Sequence, residues 1–324
     1  MKSKFLMVAG AACLSFGFAV TSSAETLKLS HSYEPSTAHH KWAAWAASEI
    51  KTRTGGRHTV NVFPSGQLGS ERDVEESLTL GTVDIAFVGA GHMAQRYKPI
   101  SIHLAAFLWR DLDHFLLYPT SKTYKEVTTG YEKASGNKVA ALTYFGQRHV
   151  SAKKPLLTPA DFKGLKMRVP PVPIYMVFPD AVGANSTPVN FSELYLALQQ
   201  GVVVAQENPL PTIQGKKFYE VQSDIMLTGH MTDGYYSLVG GPTWAKLSKQ
   251  DQKAITDILS EASKGASKDI MQSERDLVGW FRNKGIKVHD VDRQAFLEIV
   301  KPKILTGDWP WRSDQIKDLL SLGL

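Results

Sequence analysis

Arg148 and Arg168 are the residues with the clearest chemical demand. Arg148 follows an apolar run at 138–144, and Arg168 lies inside another, Gly164-Leu165-Lys166-Met167-Arg168-Val169-Pro170. Both runs read as strands, so each guanidinium stands near a strand end in a cleft. A buried guanidinium needs an anion, and its planar fork matches a carboxylate through two parallel N–H···O bonds. That anion is a ligand carboxylate or an Asp or Glu of the same chain, and spacing does not choose between them. Other signals are weaker. Gly89-Ala90-Gly91-His92-Met93-Ala94 fits the G-x-G-x-x-A dinucleotide pattern after a strand. Its glycines follow the third strand rather than the first, so it reads as a tight turn that lets a ligand approach the backbone. His31, His39 and His40 lack a metal-ligand pattern such as H-E-x-x-H, and no G-x-S-x-G serine motif occurs. No catalytic residue and no metal site is assigned.

The elements that must position these residues alternate in type. Strands are expected at 27–31, 60–63 and 83–88, with a helix over 38–53 stopped by Gly55-Gly56 and a second from Ser70, with Asp73, to Leu80. This β-α-β-α-β order predicts an α/β domain with a largely parallel sheet, extended by a helix near 113–128 and the strand at 138–144. A second unit begins near Gly146, with strands at 164–169, 186–189 and 202–205 and a helix at 174–182. Asn190 and Glu193 resemble a capping box for a helix that ends by Gly201. The span 248–284 holds no proline, and Ile255, Ile258, Leu259, Ala262, Ala266 and Ile270 recur at helical spacing. One helix of that length reaches ~50 Å, enough to bridge two domains; Gly265 is the position where it would break into two, at a penalty of about 1 kcal/mol. A strand at 286–289, a helix at 292–301 and a tail with Trp309 and Trp311 follow.

Composition bounds the function. A chain of 324 residues with 43% hydrophobic and 21% charged residues has enough apolar side chain for two cores. A single cysteine, Cys13, excludes a disulfide scaffold, an iron–sulfur protein and a cysteine-rich zinc module. The 37 basic residues are scattered among 31 acidic ones, which argues against nucleic acid. Lys2 and Lys4, the uncharged run at 5–20 and the small residues Thr21 to Ala24 form the three parts of a secretory signal peptide, with cleavage after Ala24. The run is short for a membrane span, and Gly10-Ala11-Ala12 before Cys13 lacks the leucine of a lipoprotein signal. Loss of Lys2 and Lys4 lowers the formal charge from +6 to +4 and leaves no cysteine, hence no thiolate nucleophile.

From Leu27 to about Pro302 the chain resembles a solute-binding protein of the tripartite ATP-independent periplasmic (TRAP) transporters, of the C4-dicarboxylate and sialic-acid binding type. The resemblance rests on Phe63-Pro64-Ser65-Gly66-Gln67-Leu68-Gly69-Ser70-Glu71-Arg72, Gly81-Thr82-Val83-Asp84-Ile85-Ala86 and Phe162-Lys163-Gly164-Leu165-Lys166-Met167-Arg168-Val169-Pro170. It rests further on Phe191-Ser192-Glu193-Leu194-Tyr195-Leu196-Ala197-Leu198-Gln199, Gln206-Glu207-Asn208-Pro209 and Lys217-Phe218-Tyr219-Glu220-Val221. It implies that Arg168 grips a ligand carboxylate, that Asn208 hydrogen-bonds the same group, that Arg148 adds a second positive charge and that Phe191 walls the pocket. His31, Ser32, Tyr33, Gly89 and His92 fall where other members line the cleft. Val204 and Ala205 replace the family's Asp-Gly, Gly89 replaces an acidic residue of the sialic-acid type, and Pro171 replaces its asparagine. Sialic acid itself therefore fits poorly.

The expectation is an α/β protein with the two-lobe periplasmic-binding-protein-like fold, mixed sheets flanked by helices, and a long helix spanning both lobes. The implied division is 1–24 signal peptide, 25–145 with 234–273 as the first lobe, and 146–233 with 274–324 as the second. The implied function is a monomeric periplasmic receptor, not an enzyme and without cofactor. It binds a small organic acid anion between the lobes and delivers it to the membrane subunits of a TRAP permease driven by an ion gradient. The alternatives are a binding module serving a sensor or an ATP-driven importer, and a secreted enzyme acting on an organic acid.

Overall fold

Leu27 and Leu29 alternate with exposed neighbours and are buried, the period of a half-covered strand. They lie in the first of nine strands in a computed structural model that describes residues 25–324; the expected signal peptide at 1–24 lies outside the described residues. The strands are β1 (Glu25–Ser30), β2 (His58–Phe63), β3 (Ile85–Gly89), β4 (Lys138–Ala152), β5 (Lys166–Val169), β6 (Asn185–Pro188), β7 (Ala205–Pro209), β8 (Asp224–Val239) and β9 (Lys287–His289). They form one sheet in the order β2-β1-β3-β8-β4-β7-β5-β6, with β9 also on β8. Both flanks are parallel, β1 with β2 and β3, and β5 with β6 and β7. The centre is antiparallel, where β8 pairs β3 and β4, and β4 pairs β7. The sheet is thus mixed, as the resemblance implies, and the largely parallel arrangement expected from the β-α-β order alone holds only in the flanks. The difference arises from β8, whose Gly229, His230, Asp233 and Gly234 break the apolar pattern of a central strand.

β4 and β8 run the length of the sheet, and their pairing slips between Tyr144 and Gly146 and again between Arg148 and Val150. Gly146 has φ 132°, and a Cβ there would lie 2.5 Å from Pro209 and 2.7 Å from a carboxylate oxygen of Glu274. Only glycine fits. Glu274 pins this break by accepting the Gln147 N–H (2.7 Å) and the Tyr144 hydroxyl (2.6 Å). Burial pushes its carboxyl up to about 7 from 4.5. A raised carboxyl pKa keeps a proton in the folded chain that the unfolded chain has already released. Stability should therefore fall as pH rises from 4.5 to about 7. In urea titrations the native protein should lose on the order of 2–3 kcal/mol relative to Glu274→Gln across that window; parallel pH profiles would contradict the assignment.

The long helix is continuous from Lys249 to Asn283. Gly265 does not break it: a Cβ there would lie 2.2 Å from the Trp42 ring, so the missing side chain seats an indole whose Nε1–H donates to Asp269 one turn on (2.8 Å). Ile255, Ile258, Leu259 and Ala262 join the core of Leu27, Leu29, Ile50 and Phe87, while Leu277 and Phe281 join that of Leu194, Leu198 and Phe218. One helix thereby ties two hydrophobic cores. Ser70 and Asp73 form the expected reciprocal cap, but Asn190 makes no cap hydrogen bond and is followed by a single 3-10 turn, Phe191–Glu193. Trp309 and Trp311 stack at 5.0 Å, after which the helix Ser313–Leu320 packs on the helix Lys122–Ser135, where the Thr123 N–H donates to Asp318 (2.8 Å).

Candidate functional site

The strand ends of β1, β3, β5 and β7 converge with the middle of β4 and β8 around a cavity of ≈ 190 Å³. One wall comes from Ser32 and Tyr33 after β1, the loop Ser65 to Ser70 with Glu71, and Gly89 and His92 at the end of β3. The other comes from Arg168, Pro170 and Pro171 on and after β5, Tyr175, Asn190 to Ser192, Asn208 and Lys216. Phe145, Arg148 and Asp233 to Tyr235 form the floor. Eight of the nine residues expected at the site line this cavity; His31 does not. It lies behind Tyr33, its Nδ1 accepting the Tyr33 N–H (3.2 Å), and burial pushes its imidazole down to about 3, so it stays neutral.

Arg168 is 1% exposed. Its Nε–H donates to the Val189 carbonyl (2.9 Å), and the Phe191 ring lies 5.9 Å from the guanidinium carbon. Among the described residues no carboxylate lies within ion-pair distance of it, and its two terminal nitrogens have no hydrogen-bond partner. Burial accordingly pushes Arg168 down to about 9, the mark of a cation stripped of water without an anion in exchange. The Val189 carbonyl fixes one edge of the guanidinium and leaves the fork free for a carboxylate.

Arg148 presents the opposite case. Its guanidinium donates to both Glu207 carboxylate oxygens and to the Glu207 carbonyl (2.8 Å), to Asp233 (2.8 Å) and to Asn208 Oδ1 (3.3 Å). Tyr175 lies over it at 4.8 Å and donates its hydroxyl to Asp233 (3.2 Å), while His230 stands 3.4 Å from Glu207. The second positive charge expected in the pocket is therefore compensated twice over. Burial pushes Glu207 up, but Arg148 and His230 outweigh it and hold the carboxyl below its usual range. Asp233, with less help from Arg148, is left at about 6 by burial. Arg148 also acts through Asn208. With the Asn208 Nδ2–H donated to Gln206 (2.6 Å), and Gln206 donating to Ser151 (2.8 Å), the amide is held so that its remaining N–H is free.

The two walls touch across the cavity. Lys216 forms an ion pair with Glu34, which also accepts from Ser65 (2.7 Å), and its ammonium lies 4.9 Å above Phe191. A Cβ on Gly91 would lie 2.7 Å from the Tyr175 ring, so that glycine permits the closed approach. Glu71, Tyr175, Lys216, Asp233 and Tyr235 were not foreseen as site residues. Glu71 stood inside the Gly-Ser-Glu-Arg run already singled out. Asp233 had no signal, because β8 was not recognised as a strand. Among the described residues no cluster of His, Cys, Asp and Glu could hold a metal ion, and no helix is long and apolar enough to cross a membrane.

The chain is similar over most of its length to known solute-binding proteins. A solute-binding protein of Roseobacter denitrificans is 33% identical over 310 residues, covering 94% of each chain. A crystal structure of a TRAP periplasmic solute-binding protein from the same organism with bound L-galactonate matches with TM-score 0.87 and 30% identity, over 92% of this chain and all of the other. A TRAP solute-binding protein of Sulfurospirillum deleyianum with bound succinate matches with TM-score 0.85 and 28% identity, over 92% and 99% of the two chains. These are two-lobe TRAP periplasmic binding proteins, and the mixed α/β sheet with its long helix is that fold. The family model for bacterial extracellular solute-binding protein family 7, DctP, matches residues 29–306, and the chain belongs to that family of TRAP transporter solute receptors.

Proposed function

We propose that this chain is a periplasmic receptor that binds a small organic acid anion at Arg168 and presents it to TRAP permease subunits in the membrane. The observation that carries the reading is a fully buried guanidinium with no carboxylate partner among the described residues. An isolated buried charge is costly, and a ligand carboxylate on its free fork relieves the cost with two charge-assisted bonds. Asn208 adds a hydrogen bond, Phe191 and Pro170 exclude water, and Arg148 keeps Asn208 and Asp233 in place rather than holding the anion itself. The lobes are 25–145 with 234–273, and 146–233 with 274–324, hinged at the β4 break beside Gly146. Closure brings Lys216 to Glu34 and Tyr175 to Gly91, drying the ion pair and strengthening its electrostatics. The receptor works as a monomer, without cofactor and without turnover.

A thermal-shift screen against a carboxylic-acid library, followed by mass spectrometry of the incubated ligand, tests this. An acid at 100 times its Kd should add about 2.7 kcal/mol of stability and be recovered unchanged. Stabilisation only by uncharged solutes, or chemical conversion of the acid, would overturn the proposal.

A further inference from the structure

Three cations line the cavity, Arg148, Arg168 and Lys216, and the fold compensates them differently. Arg148 is matched by Glu207 and Asp233, and Arg168 keeps an open fork. Lys216 pairs with Glu34, 182 residues away in the chain. Glu34 stands between β1 and the helix Ala38–Arg53, while Lys216 follows the helix Leu210–Gly215, so the pair joins the two walls. It is largely sheltered, with the two side chains 30% and 16% exposed, and among the described residues neither partner has a second ion pair. The Ser65 hydroxyl donates to the other Glu34 oxygen (2.7 Å) and so aims the carboxylate, and the Phe191 ring lies 4.9 Å from the ammonium. Beside the pair the walls touch: a Cβ on Gly215 would lie 2.9 Å from Thr37 Cγ2.

We propose that Glu34 and Lys216 are positioning residues that latch the cleft shut, biasing the lobes toward the closed form even when no acid is bound. This rests on the reading that the lobes close about the β4 break. In an open form the two side chains part and return to water. In the closed form partial exclusion of water strengthens their attraction, and Ser65 and Phe191 narrow the positions they can take. The free energy of the pair therefore belongs to one of the two states and shifts the balance between them by its full amount. An acid enters the open form, in which the latch is undone, so the latch leaves association alone and slows dissociation. The competing role for Lys216, direct contact with the anion, carries the opposite sign at Glu34. Removing the Glu34 charge would then free the ammonium and tighten binding, whereas loss of a latch weakens it.

The test needs no ligand. The chain from Glu25 onward holds no cysteine, so Thr37→Cys with Gly215→Cys introduces its only two thiols. Thr37 makes no side-chain cap to its helix, and the close approach of the two positions suits the Cβ separation of about 3.5–4.5 Å in a disulfide. Oxidation with diamide traps the closed form, and the rate of trapping follows its population. Alkylation of each single-cysteine chain corrects for thiol reactivity, since Lys216 adjoins position 215, and the melting temperature before oxidation checks folding. Adding Glu34→Gln or Lys216→Met should slow trapping at least about threefold, and the two together should slow it no further than one alone. Raising KCl from about 20 mM to about 500 mM should slow the parent but not that double change. L-galactonate, D-erythronate and succinate are then titrated by calorimetry, and Glu34→Gln should weaken whichever of them binds. Trapping as fast in Glu34→Gln and Lys216→Met as in the parent, additive slowing, a parent rate indifferent to salt, or tighter binding in Glu34→Gln overturns the latch and leaves closure standing. A folded parent that never cross-links removes closure and the latch together.

Discussion

Arg168→Met should weaken binding of the cognate acid at least about 100-fold while leaving the unliganded protein as stable as the native one, or more so. The two effects have one cause. In the native protein the guanidinium is buried with only the Val189 carbonyl as partner, so folding bears the cost of an unpaired cation and the ligand relieves it. Breaking a buried ion pair by removing one member costs about 3–5 kcal/mol, and at 1.4 kcal/mol per decade that is a loss of more than about two orders of magnitude. An apolar side chain of similar length refunds the desolvation in the absence of ligand. Arg168→Lys keeps the charge but not the planar fork and should fall between the two. Calorimetry with the acid found by thermal-shift screening, together with urea unfolding of the unliganded protein, measures both halves. Near-native affinity in Arg168→Met would sink the assignment of the carboxylate site.

Arg148→Met should show the reverse pattern, with the unliganded protein itself destabilised by about 3–5 kcal/mol. The melting temperature should drop by about 6–20 °C, at roughly 2–4 °C per kcal/mol for a chain of this size class. Removing this guanidinium strands Glu207 and Asp233, both buried, and releases Asn208 Oδ1. The stranded carboxyls can then fold only by taking up protons, so the deficit should be larger at pH 8 than at pH 5. The sign follows from linkage: carboxyls whose folded pKa rises above the unfolded value lose stability as pH increases. Glu207→Gln added to Arg148→Met should recover part of the loss, because it removes one stranded charge. A variant as stable as the native protein that only fails to bind would show that Arg148 serves the ligand and not the fold.

The two arginines look alike in the sequence, twenty residues apart beside apolar runs, and resemblance to the family assigned a ligand charge to each. The tertiary structure separates them. Glu207 is next to Asn208 in the chain, and β4 pairs with β7 so that His149 faces Asn208 and Val150 faces Glu207. That register delivers a carboxylate to Arg148. Asp233 arrives from β8, on the other side of β4. Arg168 sits two strands further out, on the far side of β7, which offers it Gln206 and not an acid. Local pattern cannot report this, because strand order and register are set by long-range pairing.

Much else was legible locally. The helix starting after Ser70, the seat of Arg168 in a short strand, and the long helix with its apolar stripe all follow from spacing, since side chains three and four apart share a helix face and alternate ones share a sheet face. At Gly265 the spacing favours one helix over a break, and the Trp42 ring packed against the glycine gives the physical reason that the helix continues. β8, by contrast, was missed. A strand covered on both faces needs no alternation, and its polar residues are satisfied by partners remote in sequence, Arg148 for Asp233 and Glu207 for His230. By itself, then, the sequence determined that two guanidinium groups stand beside apolar strands in an α/β chain of this family; that Arg148 lies inside β4, which runs on to Ala152, and not past a strand end, comes from its pairing with β7 and β8. Which of the two is left with an open fork was decided only by the tertiary structure, because charge compensation depends on which groups the fold brings within a few ångströms.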